Sequence, residues 1–366
     1  MTGPSQEACS SANARERRVA VIGGAGFIGC NLADSLLSDG IAVLVVDNLS
    51  RPGVEQNRDW LMERHGRLLE FHRADVRNAE AITALLADVG AVFHLAAQTA
   101  VTSSLAQPVE DFEINARGTL NVLEAVRATN RQVPVIFAST NKVYGALDDV
   151  AMIECEDCYV PEAADLRDHG IDESRGLDFC TPYGCSKGVA DQYVLDYAHS
   201  FGVPAAVLRM SCIYGPHQFG TEDQGWVAHF LLRALAGDPI TIYGDGKQVR
   251  DILHVSDAVQ AYRQALDAIR EIRGQAFNLG GGVHNAISLK ILLSEICRLV
   301  EHDVHVSFAG WRTGDQPYFV ADTRKFQTTL GWAPSISWRE GVRQLAGWLA
   351  EHRPQHPASQ DRRIVA

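Results

Sequence analysis

The segment Tyr183-Gly184-Cys185-Ser186-Lys187 sets a phenol and an amine four residues apart, on one face of a helix. A cation held beside a phenol stabilises the phenolate and draws its pKa from about 10 toward neutrality. Such a tyrosine can take the proton of a hydroxyl while hydride leaves the attached carbon. Alone, a Tyr-x-x-x-Lys pair is an ordinary helix face. It gains weight from Ser139-Thr140-Asn141-Lys142-Val143-Tyr144-Gly145, which ends an apolar run that reads as a strand. Strand ends of a parallel sheet face the ligand crevice, so the Thr140 hydroxyl is expected to bond the same oxygen as Tyr183. Thr140, Tyr183 and Lys187 form the expected catalytic set.

A departing hydride needs an acceptor, and the start of the chain offers a seat for one. Gly23-Gly24-Ala25-Gly26-Phe27-Ile28-Gly29 follows an apolar strand and opens a helix, fitting both G-x-G-x-x-G and G-x-x-G-x-x-G. Glycine is needed where the backbone turns sharply, approaches a pyrophosphate and lets helix pack on strand, the helix N-terminus facing the anion. The next strand ends in Asp47, 18 residues beyond Gly29. A carboxylate there accepts hydrogen bonds from a ribose diol and repels a 2′-phosphate, so NAD is expected rather than NADP. Arg51, four residues further on, is the one feature that argues the other way.

Positioning these groups requires a particular scaffold. Short β-branched runs at 18–22, 41–47, 68–72, 91–95 and 133–139 alternate with helical patterns at 26–37, 79–88 and 113–129. Strand–helix alternation with fully apolar strands implies an α/β fold, a Rossmann-type doubly wound parallel sheet covered on both faces. After about residue 212 the alternation loosens, which marks a smaller C-terminal α/β substrate lobe. The expected layout is a tail over 1–16, a cofactor domain over 17–212 rejoined by about 250–278, the lobe mainly over 213–350, and a tail over 351–366.

Composition narrows the class of protein. The 366 residues are 46% hydrophobic, enough for a large core, and carry 33 Lys+Arg against 45 Asp+Glu, a net charge of −12. That balance argues against a surface that grips nucleic acid or an anionic membrane, though not against a small anionic ligand held by two or three basic residues. No apolar segment opens the chain, and its eight scattered cysteines are too sparse for a disulfide framework, so a cytoplasmic protein with reduced thiols is expected. Cys155-Glu156-Asp157-Cys158 is a lone C-x-x-C with neither a second pair nor a nearby His pair, so no metal site is expected. Cys185 and all six tryptophans are expected to pack in the core.

From about residue 18 to 348 the chain resembles the extended short-chain dehydrogenase/reductases, the nucleotide-sugar epimerases and dehydratases. The likeness rests on the glycine turn, Tyr183 and Lys187, and on Asp75-Val76, His94-Leu95-Ala96-Ala97, Asn115, the segment Arg250 to Asp257, and Arg312-Thr313-Gly314-Asp315. It implies NAD held by Gly23, Gly26, Phe27, Ile28, Gly29, Asp47, Asn48, Asp75, Val76, Leu95, Ala96, Ala97, Asn115, Ser139 and Met210, together with Tyr183 and Lys187. It implies a nucleotide-diphosphate sugar bound by Thr99, Asn141, Lys142, Cys180, Cys212, Gln218, Arg250 and Arg312, with the two arginines on the diphosphate. It also implies a homodimer built through two helices, and a place in carbohydrate biosynthesis.

Within that family the stretches 139–145, 170–174, 177–179, 182–188, 190–197 and 246–251 are most similar to the branch that inverts carbon 2 of a CDP-linked hexose. The spacing of 39 positions between Tyr144 and Tyr183 is shared with that branch. Family members that dehydrate their sugar carry an Asp-Glu pair where this chain has Asn141-Lys142, and an amide cannot protonate a leaving hydroxyl. Cys180 replaces a histidine expected in that branch, and Cys212 stands where 4-epimerases place an asparagine; Cys180 either reads the sugar or simply packs. Two rivals remain at this level: epimerisation at carbon 4 or 3 of an ADP-, GDP- or UDP-sugar, and a non-catalytic dinucleotide sensor.

Overall fold

A computed structural model of the chain describes residues 18–352. The tail over 1–16, and all but two residues of the tail over 351–366, lie outside the described residues. Seven short strands build the main sheet: β1 (Val19–Ile22), β2 (Val43–Asp47), β3 (Leu69–Arg73), β4 (Ala91–His94), β5 (Val135–Thr140), β6 (Ala205–Met210) and β7 (Ala276–Leu279). Their order is β7-β6-β5-β4-β1-β2-β3, every pair parallel, so all the carboxyl ends open on one edge. The order reverses between β1 and β4, and a crevice forms at such a switch point.

Alternate residues of each strand feed opposite cores, as the two-residue period of a strand requires. Val19, Val21, Val43, Val45, Phe93, Ile136 and Leu208 pack on one face, against α1 (Phe27–Ser38) and a later helix, Val255–Asp267. Ala20, Ile22, Leu44, Val46, Val92, Val135, Phe137 and Val207 fill the other face, beneath α2 (Gly118–Ala128) and α3 (Thr181–Ser200). Burial on both faces explains why these strands read as unbroken apolar runs. A third core gathers the helices Trp226–Ala236, Leu289–Val300 and Trp338–Glu351 around the strands Cys212–Tyr214, Val249–His254 and Ala286–Ser288.

Among the first 140 residues, three described helices escape the sequence pattern: Val54–His65, Val101–Ala106 and Pro108–Phe112. The first buries only Val54, Asn57 and Leu61, too thin an apolar stripe to stand out. The helix expected over 113–129 begins instead with a π-turn, Glu113–Arg117, centred on Asn115. Two packing expectations are corrected. Cys185 is exposed, because α3 turns that face away from the sheet. Trp311 is 48% exposed, since it lies across the turn at Gly244 rather than inside a core.

One buried ion pair clamps α3 to the sheet. Asp191 accepts from Arg209 at 2.9 Å and 3.0 Å through both carboxylate oxygens, and from the Ser139 hydroxyl at 2.7 Å. Removing one member of such a pair strands the other's charge. The Asp191→Ala variant is therefore expected to lose about 3–5 kcal/mol of unfolding free energy in urea, far more than an exposed substitution.

Candidate active site

The first half of the crevice is made from backbone. Gly23 has φ 81°, and a Cβ there would sit 2.6 Å from the Ala96 amide nitrogen; one at Gly29 would sit 2.2 Å from the Gly23 carbonyl oxygen. Only glycine allows this approach of turn, helix and neighbouring loop. At Gly26 the space is different: an added Cβ would meet nothing but the Gly23 carbonyl oxygen, at 3.1 Å. Helix α1 starts there without a side-chain cap, leaving its first amides for an anion. Phe27 and Ile28 begin the helix and pack partly into the core beneath it.

Asp47, at the end of β2, accepts from the amides of Ala25 at 3.1 Å and Leu49 at 2.8 Å, tying the glycine turn to the neighbouring strand. Burial pushes its carboxyl up, against the pull of those amides and of Arg51. Beyond it, Asn48 donates to Asp75 at 2.9 Å, and the Arg77 guanidinium holds the Asp75 carboxyl down to about 2. Val76 is buried against Gly118, Leu95 bonds to Ile22 at 2.8 Å, and Ala96 backs Gly23, with Ala97 next along the loop. A cradle that added methyl groups would fill, an uncapped helix start and a carboxylate beyond them fit a dinucleotide.

Asn115 is placed differently from the expectation. Its amide oxygen takes the Gln98 N–H at 2.9 Å, and its NH2 donates to the Gln98 carbonyl and to Ser186 at 3.0 Å and to Asp111 at 3.2 Å. The side chain is a buried bracket joining the loop after β4 to α3, and the π-turn is what swings it between them. Met210, at the end of β6, accepts the Tyr262 hydroxyl at 3.1 Å.

The groups expected to react lie near the carboxyl end of β5. Burial raises the Tyr183 pKa, while the Thr140 hydroxyl and the positive charge of Arg51 act the other way, in favour of the phenolate. Lys187 departs from the simple picture of a cation resting on the phenol. Its amine donates to the Ala138 carbonyl at 2.6 Å and stands 4.2 Å above the Phe137 ring. Burial brings its pKa down to about 7, with Asp191 and Asp111 opposing. The side chain points inward along the strand end, where a backbone acceptor is within reach.

Around this centre lie the groups expected to touch substrate. Asn141 is buried beside Thr140. Lys142 reaches Gln316 at 3.3 Å and the Gly314 carbonyl at 3.4 Å; burial and Arg250 draw its pKa to about 8, against Asp315, Cys212 and Cys180. Arg250 is buried and paired with Asp315 at 2.6 Å. Gln218 is buried with its side-chain oxygen unpartnered among the described residues, an acceptor left over. Arg312 lies 4.0 Å above the Tyr243 ring and faces Glu222 and Asp223 at 3.7 Å and 3.5 Å. Thr99 bonds to Arg51, a residue the sequence marked only as a doubt about the cofactor. Asp111 and Gln316 went unread, for no motif surrounds them, and Asp315 was read only as the end of the Arg312-Thr313-Gly314-Asp315 motif, without its pairing to Arg250.

Gly26, where an added Cβ would meet a single backbone oxygen, makes a sharp test. Gly26→Ala is expected to change stability by under about 1 kcal/mol, since the methyl meets one carbonyl oxygen. The same methyl points into the cradle, so dinucleotide affinity should fall at least about tenfold by calorimetric titration, a loss of about 1.4 kcal/mol.

A family model described as the NAD dependent epimerase/dehydratase family matches residues 19–280. The CDP-paratose 2-epimerase of Salmonella typhi is 44% identical over 343 residues, 91% of this chain and 99% of that protein. Among solved structures, a Thermus thermophilus UDP-glucose 4-epimerase in complex with NAD is 31% identical with a TM-score of 0.77, over 91% of this chain and 99% of its own. A Thermotoga maritima UDP-glucose 4-epimerase with UDP-glucose is 29% identical with a TM-score of 0.78, over 92% and 99%. With this coverage and the glycine cradle, Thr140 and Tyr183 in place, the chain belongs to the NAD dependent epimerase/dehydratase family.

Proposed function

We propose that this NAD-dependent nucleotide-sugar epimerase inverts carbon 2 of a CDP-linked hexose. The observation that carries the reading is the 44% identity to a CDP-paratose 2-epimerase over nearly the full length of both chains. Asn141 and Lys142 agree with it, because an amide beside Thr140 provides no acid for expelling water. An intact Thr140, Tyr183 and Lys187 speak against a pure sensor, which has no use for a proton relay.

In this reading the Tyr183 phenolate takes the proton of the sugar hydroxyl, whose oxygen Thr140 holds in place. NAD, when bound, would supply the hydride acceptor and donor for that carbon. The ketone turns over in the pocket, and the Tyr183 phenol returns its proton to the oxygen as the other face of the carbon is reduced. Lys187, whose pKa burial brings down to about 7, stands one turn along the same helix with its amine on the Ala138 carbonyl. Arg250 and Arg312 take the diphosphate, Arg312 giving up Glu222 and Asp223 to do so. Gln218, Thr99, Lys142, Cys180 and Cys212 line the sugar.

A homodimer and a cytoplasmic setting complete the proposal. Leu105, Val109, Phe112 and Tyr193 are exposed on α3 and on the short helices packed against it; Val109 is 74% exposed. An apolar face of that kind suits a second copy of the chain. The seven described cysteines are free thiols, as suits a reducing compartment. The role is one in carbohydrate biosynthesis.

Proton NMR of the protein with CDP-, UDP-, GDP- and ADP-sugars tests the assignment through the ring couplings that report each carbon. Inversion at carbon 2 of a CDP-sugar is expected; inversion at carbon 4 of a UDP-sugar would replace this reading with the one its solved relatives suggest. Tyr183→Phe should keep its fold and bound NAD while kcat drops about 10²–10⁴-fold.

A further inference from the structure

Cys155 and Cys158 close a hairpin that the reaction centre does not use. The strands Met152–Glu154 and Tyr159–Pro161 run antiparallel, with Met152 opposite Pro161, Ile153 opposite Val160 and Glu154 opposite Tyr159. The same register carries on to set Cys155 opposite Cys158, and the Cys155 N–H donates to the Cys158 carbonyl at 2.9 Å. Residues at such a hydrogen-bonded position of an antiparallel ladder lie about 5.5 Å apart at Cα with their side chains on one face. That separation falls inside the range of roughly 4.4–6.8 Å that a disulfide spans. Glu156 and Asp157 between them make only the bend.

The hairpin is held without its sulfurs. The Lys247 amine donates to Glu154 at 2.7 Å and to the Cys155 carbonyl at 2.9 Å. The Tyr159 N–H donates to the Lys247 carbonyl at 3.0 Å, and the Tyr159 hydroxyl donates to Asp245. A bond between the two sulfurs leaves all of these contacts in place. The thiols differ in access: Cys155 is exposed, whereas Cys158 is half-buried against Val249, Tyr318 and Val320. Burial, with Cys155 and Asp157 adding to it, pushes the Cys158 thiol up, against the pull of Lys247. Glu156 and Asp157 are exposed beside the pair, and the Lys247 amine is already given to Glu154, so the tip presents negative charge.

We propose that Cys155 and Cys158 form a dithiol site that reacts with small disulfides, those of neutral or cationic thiols in preference to anionic ones, and closes into a disulfide of its own. Cys155, as the accessible thiolate, attacks one sulfur of the incoming disulfide. A bond forms from the Cys155 Sγ to that sulfur, the incoming S–S bond breaks, and one thiolate leaves. Cys158 then gives up its proton and displaces the second thiolate, leaving the Cys155–Cys158 disulfide. Two cysteine thiols are oxidised, the incoming disulfide is reduced to two thiols, and the two cysteine protons end on those thiols. The site is independent of the sugar chemistry proposed above.

The test treats the full chain with cystamine, blocks the remaining thiols with iodoacetamide and maps the protein after trypsin. Residues 143–167 leave as one peptide holding both cysteines, since no Lys or Arg interrupts them. That peptide is expected lighter by two hydrogens and restored by dithiothreitol, while Cys158→Ser keeps half a cystamine on Cys155. The exposed Cys185 reports that the reagent has acted. A 143–167 peptide still reduced, or still carrying cystamine, once Cys185 has reacted would overturn the proposal. The disulfide should also be favoured at least about tenfold more in the native chain than in the chain unfolded in urea, because the hairpin holds the pair together. Equal values would overturn the register as the origin of the site. Raising the salt should slow cystamine, which is cationic, and speed glutathione disulfide, which is anionic. The same response from both would overturn the charge preference.

Discussion

A single carboxylate, buried and shared, holds the reaction centre in register. Asp191 lies one turn beyond Lys187 on α3, and its partners Ser139 and Arg209 lie next to Thr140 and Met210 at the ends of β5 and β6. Arg209 continues the chain of contacts by donating to the Tyr144 hydroxyl at 3.1 Å, which donates to Asn278 at 2.8 Å, whose amide reaches the Ile171 carbonyl at 2.8 Å. The helix that carries Tyr183, the strand that carries Thr140 and the long loop between them are therefore fastened to one point. A rotation of α3 sufficient to carry Tyr183 away from the end of β5 would also break an ion pair in the core, at a cost of several kcal/mol.

The sheet supplies the remaining order. Seven parallel strands end on one edge, so the glycine turn after β1, Asp47 after β2, the Leu95–Ala97 loop after β4 and Thr140 on β5 meet without any long-range search. Backbone does most of the work on the cofactor side, where amides and glycines set the shape; side chains do it on the substrate side. That division explains how one family can keep its cofactor and vary its sugar.

The same division decides what could be read in advance. Apolar runs buried on both faces announced β1, β2 and β4 within a residue or two, and the glycine spacing and the Tyr-x-x-x-Lys pair announced the groups they carry. Helix Val54–His65, with only three buried residues, has no pattern to read. Arg51 is legible as a basic residue near a cofactor but not as a strut, because its partners stand 48 and 173 positions away and a long side chain can end in many places. Lys187 was read onto the same helix face as Tyr183, but its amine turns to a carbonyl that spacing alone does not reveal. Cys185 was misjudged since the helix face that points outward depends on how α3 sits on the sheet.

The central claim is that the hydrogen removed from the sugar carbon is the one returned to it, with Tyr183 moving only the hydroxyl proton. Turnover of the preferred nucleotide sugar in heavy water, followed by mass spectrometry of the product, tests this most directly. The account predicts an inverted carbon that keeps its original hydrogen and a product mass unchanged once exchangeable hydroxyls are washed back. Deuterium fixed at the inverted carbon would mean a proton drawn from solvent, and would contradict it.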